Sequence, residues 1–216
     1  VQLLSTSVLT GIIAVIGIIF RMFCKNPTLK HVGDIMLGFA VLMYGMSAMS
    51  DSVAPLRQSE TFIRLLTSFQ NPFLGILAGC LITCVLQSAS AAVGILQALA
   101  VTGAVDFSVA LPLIMGIAIG AAVPVLLSAA GATTAGKRTA FVYLLIDTAG
   151  VVLIGALFYT ANAVWQFDFV HRTMTTVSVA LLNTLFRLLT VVLLAPAIGL
   201  LEKIVCLLFP ARAEEE

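Results

Sequence analysis

Long apolar stretches separated by short polar clusters run along most of the 216-residue chain. Stretches of about eighteen or more apolar residues predict membrane-spanning helices, because about 20 residues are needed to cross roughly 30 Å of hydrocarbon. Ordinary crossings are predicted at residues 3–23, 33–50, 138–161 and 174–195. A last helix, residues 196–209, carries Glu202 and Lys203 near its middle and is expected to lie along the membrane surface. The pattern therefore predicts an all-α polytopic membrane protein.

Two further apolar stretches are interrupted. Residues 73–105 contain the run Gln87-Ser88-Ala89-Ser90, and residues 107–130 contain Gly116 and Gly120 shortly before Pro124. Two full crossings within the first stretch would need about 40 residues, more than it has. It either crosses once or enters the membrane and turns back.

The positions of lysine and arginine decide between these two paths, because both residues favour cytoplasmic loops. If residues 73–105 return to the side they entered from, seven basic residues share one face and three share the other. A single crossing gives four against six. The larger face comprises Arg21, Lys25, Lys30, Lys137, Arg138, Lys203 and Arg212, and the smaller comprises Arg57, Arg64 and Arg172. The count predicts a re-entrant hairpin over about 73–105. The glycines and Pro124 predict a broken helix over about 107–130.

The amino-acid composition reduces the number of function classes that this chain can belong to. The chain is 61% hydrophobic and 10% charged, with a mean hydropathy of +1.14, whereas soluble domains are nearer a quarter charged. The net charge of +1 is uninformative about nucleic acid, but the basic residues form no run beyond short loop pairs, so no nucleic-acid partner is expected. The sequence has no cysteine spacing typical of a metal site and no nucleophile–base motif, so neither an enzyme nor a bound cofactor is expected. Residues 51–72 mix charged and apolar positions and predict an amphipathic interfacial helix.

The two interruptions predict a binding site. Irregular backbone at membrane depth is tolerated only where it is buried in protein or lines a watery cavity. The helical halves that follow Ser90 and Gly120 would direct their N-termini at an anion, while freed carbonyls and hydroxyls suit Na⁺. The glycines have a second interpretation as close-packing residues, which also holds for Gly75 and Gly79. The combined pattern indicates a transporter site for a small anion coupled to a cation.

The residues around the first interruption resemble the bacterial sodium/phosphate cotransporter family, which carries a Gln-Ser-Ser-Ser-Ala stretch in each of two inverted repeats. The second repeat looks like this chain, with Gln87-Ser88-Ala89-Ser90-Ala91 followed by Val93-Gly94-Ile95-Leu96-Gln97 and Phe107-Ser108-Val109-Ala110-Leu111-Pro112. Residues 33–50 and 70–77, Lys137-Arg138-Thr139-Ala140 and Leu201-Glu202-Lys203 are also similar to the family. The resemblance implies one half of an inverted-repeat transporter, with the first repeat and a PhoU-like domain absent.

The resemblance also implies a set of site residues. Gln87, Ser88 and Ser90 would line the site, and the second interruption would complete it with Gly116, Ala118, Gly120 and Ala121. Thr83, Gln97, Tyr143 and Asn183 are expected to support these residues. The family usually has Gly-x-Asn-x-Gly-Thr at the second interruption, so Ala118 and Ala121 are departures. Tyr143 and Asn183 stand where the family has histidine.

Asp147 and Arg187 form a candidate charge pair inside the predicted crossings, at positions where the family has an amide. An unpaired charge within the membrane costs on the order of 3 kcal/mol or more. One hypothesis is a buried salt bridge that replaces an Asn–Asn contact. The alternative is that Arg187 contacts the anion and Asp147 fixes its orientation.

The resemblance implies sodium-dependent transport of inorganic phosphate by alternating access in a lipid bilayer. Residues 1–32 would form a linking transmembrane helix, residues 33–209 the second repeat, and residues 210–216 the start of a truncated cytoplasmic segment. The site would require the missing first repeat or a second copy of this chain. The expected location is the inner or plasma membrane, with a cytoplasmic C-terminus. Transport of a different small anion, or a non-transporting sensor or assembly role, are the alternatives.

Overall fold

The computed structural model describes residues 6–53, 55 and 60–209, and this part of the chain is almost entirely α-helical. Its one β feature is a single bridge between Asp106 and Thr173. The helices are α1 (Thr6–Phe23), α2 (Pro27–Val53), α3 (Glu60–Ser68), α4 (Pro72–Leu86), α5 (Ala89–Val101), α6 (Phe107–Gly120), α7 (Ala122–Ala129), α8 (Thr134–Trp165), α9 (Thr176–Leu194) and α10 (Ile198–Leu208), with 3₁₀ turns at Asp168–His171 and Ala195–Ala197.

Four helical stretches of the described chain are long and apolar enough to cross a membrane. They are Pro27–Met49, Phe107–Ala129, Thr134–Trp165 and Thr176–Leu208. The predicted crossing at residues 3–23 begins among residues that lie outside the described part, and its described apolar portion, Val8–Phe23, is shorter than these four. The prediction of an all-α polytopic membrane protein is confirmed.

The chain divides into two compact units, residues 1–55 and residues 56–216. In the first, α1 and α2 approach at Gly17 and Gly33, where a Cβ added to Gly33 would lie 2.8 Å from the Gly17 carbonyl oxygen. This contact joins α2 to α1 within one compact unit. The predicted boundary between a linking helix and the repeat after residue 32 stays a prediction. Helix α2 also begins six residues before the predicted start at residue 33, because Pro27 suits a first helical position.

In the second unit, α4 and α6 run parallel in close backbone contact. A Cβ on Gly79 would collide with the Leu113 carbonyl, and one on Gly116 would collide with the Ile76 carbonyl. Matching positions therefore rise together along the two helices. Glycine lets two helix backbones approach this closely because it has no side chain. In the structure these glycines are therefore close-packing residues between α4 and α6.

The parallel arrangement of α4 and α6 requires α5 to run back between their ends. Helices α4 and α5 have 15 and 13 residues, so they are about 22 and 20 Å long and too short to cross roughly 30 Å of hydrocarbon. The chain thus forms a helical hairpin with its turn at Gln87 and Ser88. That the hairpin re-enters a membrane stays a prediction.

Hydrogen bonds between loops and helix ends show which connections lie at the same end of this unit. At the end where the hairpin begins, Met174 N–H donates to the Val105 carbonyl over 2.8 Å, and Phe107 N–H donates to the Arg172 carbonyl over 3.1 Å. At the other end, Arg138 Nε donates to the Phe209 carbonyl over 2.8 Å. The loops after α5 and α8 therefore share one end of the unit, and the start of α8 and the end of α10 share the other.

Helix α6 is the centre of the core. Of the 18-residue apolar window within Phe107–Ala129, 72% is buried, against 28% of the corresponding window in Thr134–Trp165 and 17% of that in Thr176–Leu208. Ile114 and Met115 are fully buried. A helix that is apolar all round and covered on all sides forms the interior of a bundle, while the other two crossings leave one apolar face for lipid.

Two predicted elements differ in detail from the structure, and a third lies outside the described residues. The amphipathic helix expected over 51–72 is present as α3, Glu60–Ser68; residues 51–53 end α2, and Arg57 lies outside the described residues. The surface helix expected at 196–209 follows α9 directly through the 3₁₀ turn Ala195–Ala197, which contains Pro196. Residues 210–216, with Arg212 and the expected cytoplasmic segment, are also outside the described part.

Candidate functional site

The hairpin turn begins at Gln87, which ends α4 in a left-handed conformation with φ 52° and ψ 24°. Its N–H donates to the Thr83 carbonyl over 2.8 Å, while its side chain is exposed. A residue with a Cβ is unfavourable in this conformation by about 1 kcal/mol, and glycine usually fills it. A glutamine at this position presents an exposed amide at the turn.

Ser88 and Ser90 bring two hydroxyls together just after this residue. Ser88 is the N-cap of α5, and its Oγ accepts a hydrogen bond of 3.3 Å from Ala91 N–H. The Oγ atoms of Ser88 and Ser90 lie 3.2 Å apart, and Ser90 is exposed. The turn thus offers one amide and two hydroxyls beside the N-terminus of a helix, where dipoles favour negative charge.

Thr83 attaches this turn to α6. The residue is completely buried, its Oγ1 donates to the Gly79 carbonyl over 2.9 Å, and a Cβ on Gly120 would lie 2.7 Å from the Thr83 Cβ. The base of the turn is therefore fixed against the second interruption.

The second interruption is narrower than the sequence predicts. The helix continues through Gly116, Ala118 and Gly120, all of them buried, and ends at Gly120. Ala121 separates α6 from α7 with φ −63° and ψ −23°, and its N–H donates to the Ile117 and Ala118 carbonyls. The open backbone expected over residues 116–121 is thus not formed, because glycines that pack against α4 leave the helix intact.

Pro124 contributes to the interruption in a way that the hydrophobic pattern does not predict. The sequence does contain the signal, because proline has no backbone N–H. The helical hydrogen bond from residue 124 to the carbonyl of Gly120 cannot form. A carbonyl freed in this way is the type of oxygen that coordinates Na⁺ in broken helices of transporters.

Asp147 and Arg187 meet between α8 and α9. Arg187 Nη1 donates to Asp147 Oδ1 over 3.0 Å, and the two side chains are 33% and 5% exposed. Asp147 Oδ2 is buried and has no hydrogen-bond partner in the described part of the chain. The structure therefore brings together the two charges that the sequence singled out.

Residue counts along neighbouring helices place the hairpin turn beside the interruption. Thr83 of α4 meets Gly120 of the parallel helix α6, so Gln87 lies about level with Pro124.

The same count places the charge pair at this depth. Helix α8 follows α7 after a short loop and runs back along α6, where Gly155 meets Met115. Asp147, eight residues before Gly155, is about level with Val123. The turn, the interruption and the ion pair therefore lie at about the same level of the unit.

The supporting residues are spread more widely. Gln97 Nε2 donates to the Thr176 carbonyl over 3.2 Å and joins α5 to the start of α9, away from the turn. Tyr143 and Asn183 are half-buried, one helical turn before Asp147 and Arg187 respectively. Neither side chain has a hydrogen bond among the described residues.

Comparison with protein families decides where this chain belongs. The model of the family described as Na⁺/Pi-cotransporter matches residues 41–183, which contain the hairpin, the interruption and Asp147. The chain belongs to the Na⁺/Pi-cotransporter family.

Relatives span more than this chain. "Uncharacterized protein YqeW" of Bacillus subtilis (strain 168) is 25% identical over 199 residues, which are 91% of this chain and 63% of that protein. "Putative inorganic phosphate export protein YjbB" of Escherichia coli (strain K12) is 26% identical over 147 residues, 68% of this chain and 27% of that protein. The corresponding protein of Salmonella typhimurium matches with the same identity and coverage. No solved structure matches the chain.

Proposed function

We propose that this chain is one half of a secondary transporter that moves inorganic phosphate across a membrane, with Na⁺ as the coupling ion. The observation that carries the proposal is the hairpin turn. It presents Gln87, Ser88 and Ser90 to a site at the N-terminus of α5, in a chain of the Na⁺/Pi-cotransporter family.

The proposed phosphate site uses neutral donors. Two hydroxyls and one amide can donate hydrogen bonds to phosphate oxygens, and the positive end of the α5 dipole favours the negative charge. The carbonyl of Gly120, which lacks its usual donor, is the proposed Na⁺ contact. Gly116, Ala118 and Ala121 would contribute shape and close packing, and Thr83 would hold the turn in place.

The proposed site is incomplete within one repeat. Sites of inverted-repeat transporters lie between the repeats, so a first repeat or a second copy of this chain would supply the opposite wall. We place the protein in the inner or plasma membrane with a cytoplasmic C-terminus, because this orientation puts most of the basic residues on the cytoplasmic side.

The test is transport of radiolabelled phosphate by the full-length protein in proteoliposomes. An inward Na⁺ gradient should raise the initial uptake rate several-fold over a K⁺ gradient of equal ionic strength. Efflux from preloaded vesicles should be measured in parallel, because a relative is named for phosphate export. Absence of phosphate flux in both directions, from protein with an intact melting transition, would contradict the proposal.

Transport of a different small anion is the second candidate. The second interruption favours this candidate. Its residues Ala118 and Ala121 have no polar side-chain atom, whereas the family usually has asparagine and threonine at these positions. Competition by unlabelled sulfate or other oxyanions in the same uptake assay separates the two candidates. Phosphate transport requires that excess phosphate compete better than these anions.

A further inference from the structure

The ion pair between α8 and α9 is open on one side only. Asp147 is 5% exposed, and its second oxygen is covered, whereas a third of the Arg187 side chain remains exposed. The surface that the pair presents is therefore that of the guanidinium. A net neutral pair thus displays a cationic face.

Most of the donors of this guanidinium are unused. Within the described residues, Arg187 makes one side-chain hydrogen bond, from Nη1 to Asp147 Oδ1. A guanidinium has five N–H donors in a fixed plane. The donors on Nε and Nη2 remain available, and donors of this kind can bind two oxygens of one phosphate.

The position of Arg187 on α9 indicates where these donors point. The neighbouring residues Asn183, Phe186 and Thr190 form the half-buried and buried stripe of the helix, whereas Leu185, Leu188 and Leu189 are exposed. Arg187 belongs to the stripe that faces the protein and not to the leucine face suited to lipid. Exposure of a charge to hydrocarbon is costly, so the open side of Arg187 requires a polar partner.

We propose that Arg187 is a direct ligand of the transported oxyanion and that Asp147 is its positioning residue. The inference rests on the proposed function and adds a charged contact to a site otherwise made of neutral groups. Asp147 lies at about the depth of the hairpin turn, so a tetrahedral oxyanion bound at the turn would lie at about the level of the guanidinium that contacts Asp147.

Equilibrium binding of radiolabelled phosphate to the purified full-length protein tests this inference. Arg187→Gln should raise the Kd by about tenfold or more, because it removes a charge-assisted hydrogen bond. Arg187→Lys should lose less, since it keeps the charge but not the planar donors. Arg172→Gln, which changes an exposed loop arginine, should leave the Kd unchanged.

Two double variants separate ligand binding from a purely structural ion pair. Asp147→Arg/Arg187→Asp should recover the melting temperature lost by the single changes but leave phosphate binding weak, because the guanidinium moves to α8. Asp147→Leu/Arg187→Met should fold without a buried charge and bind weakly as well.

Two results would overturn the inference alone: wild-type affinity in Arg187→Gln, or recovery of both melting temperature and affinity by the charge swap. Failure of the unaltered protein to bind phosphate would instead overturn the proposed function, and this inference with it.

Discussion

Arg187 reaches across from α9 to Asp147 on α8 with an Nη1–Oδ1 distance of 3.0 Å, and the second carboxylate oxygen stays buried without a partner. A carboxylate in this position depends on the guanidinium, because an uncompensated buried charge is strongly unfavourable. The relationship joins two helices that leave much of their surface for lipid.

The first prediction concerns the stability of this pair. Arg187→Met should lower the free energy of unfolding by about 3 kcal/mol or more, because Asp147 is left buried and unpaired. Asp147→Leu should cost less, since Arg187 is partly exposed, and the combined variant should recover most of the loss. Thermal melting of the purified protein measures all three. A combined variant as unstable as Arg187→Met would show that the pair is not the cause.

The contact between α4 and α6 gives the second prediction. Gly79→Ala and Gly116→Ala should each destabilise the protein by about 2 kcal/mol or more, because the added Cβ meets carbonyl backbone of the partner helix. Gly199→Ala is the matched control in α10, where a Cβ meets nothing within 4 Å. It should be neutral or stabilising by up to about 1 kcal/mol. Equal melting temperatures for the three variants would contradict the parallel packing.

Gln87 and Gln166 provide the third prediction, because both are glutamines with positive φ, 52° and 44°. Glycine relieves this conformation but loses chain entropy, so Gln→Gly at either position should change stability by less than about 1 kcal/mol. Only Gln87→Gly should reduce phosphate transport, since Gln166 ends α8 outside the hairpin. Equal transport by both variants would remove the Gln87 amide from the site.

The path of the hairpin gives the fourth prediction. In a cysteine-free background, Gln70→Cys and Arg172→Cys should react with a membrane-impermeant thiol reagent from the same side, and Lys137→Cys from the opposite side. A single crossing by residues 73–105 would place Gln70 and Arg172 on opposite sides. Labelling of intact and permeabilised cells distinguishes the two topologies, and labelling of Lys137→Cys only after permeabilisation would indicate the cytoplasmic face.

The sequence was most informative where a polar or charged residue interrupts an apolar stretch, because such a residue cannot be exposed to hydrocarbon without a large cost in free energy. Gln87 interrupts an apolar stretch, and the structure has its turn there. Asp147 and Arg187 are opposite charges in predicted crossings, and the structure pairs them. These features depend on the cost of exposing a polar group to hydrocarbon, which is visible in one chain without its neighbours.

The sequence was least informative where the partner helix determines the outcome. Gly116 and Gly120 are compatible with an unwound segment and with close packing, and the choice depends on Gly75 and Gly79 lying at the same spacing on a parallel helix. The join between α9 and α10 also depends on tertiary packing, because Pro196 permits either a sharp break or a short 3₁₀ turn.

The central claim, that the hairpin turn binds the transported phosphate, is tested most directly by Ser90→Ala. Ser88 is less suitable because its hydroxyl also caps α5, whereas the Ser90 hydroxyl is exposed beside it. The matched control is Ser128→Ala, an exposed serine of α7 whose hydroxyl donates to the Pro124 carbonyl of its own helix. In proteoliposomes driven by a Na⁺ gradient, Ser90→Ala should reduce phosphate uptake at least several-fold while Ser128→Ala retains it. Wild-type uptake by a folded Ser90→Ala variant would contradict the account.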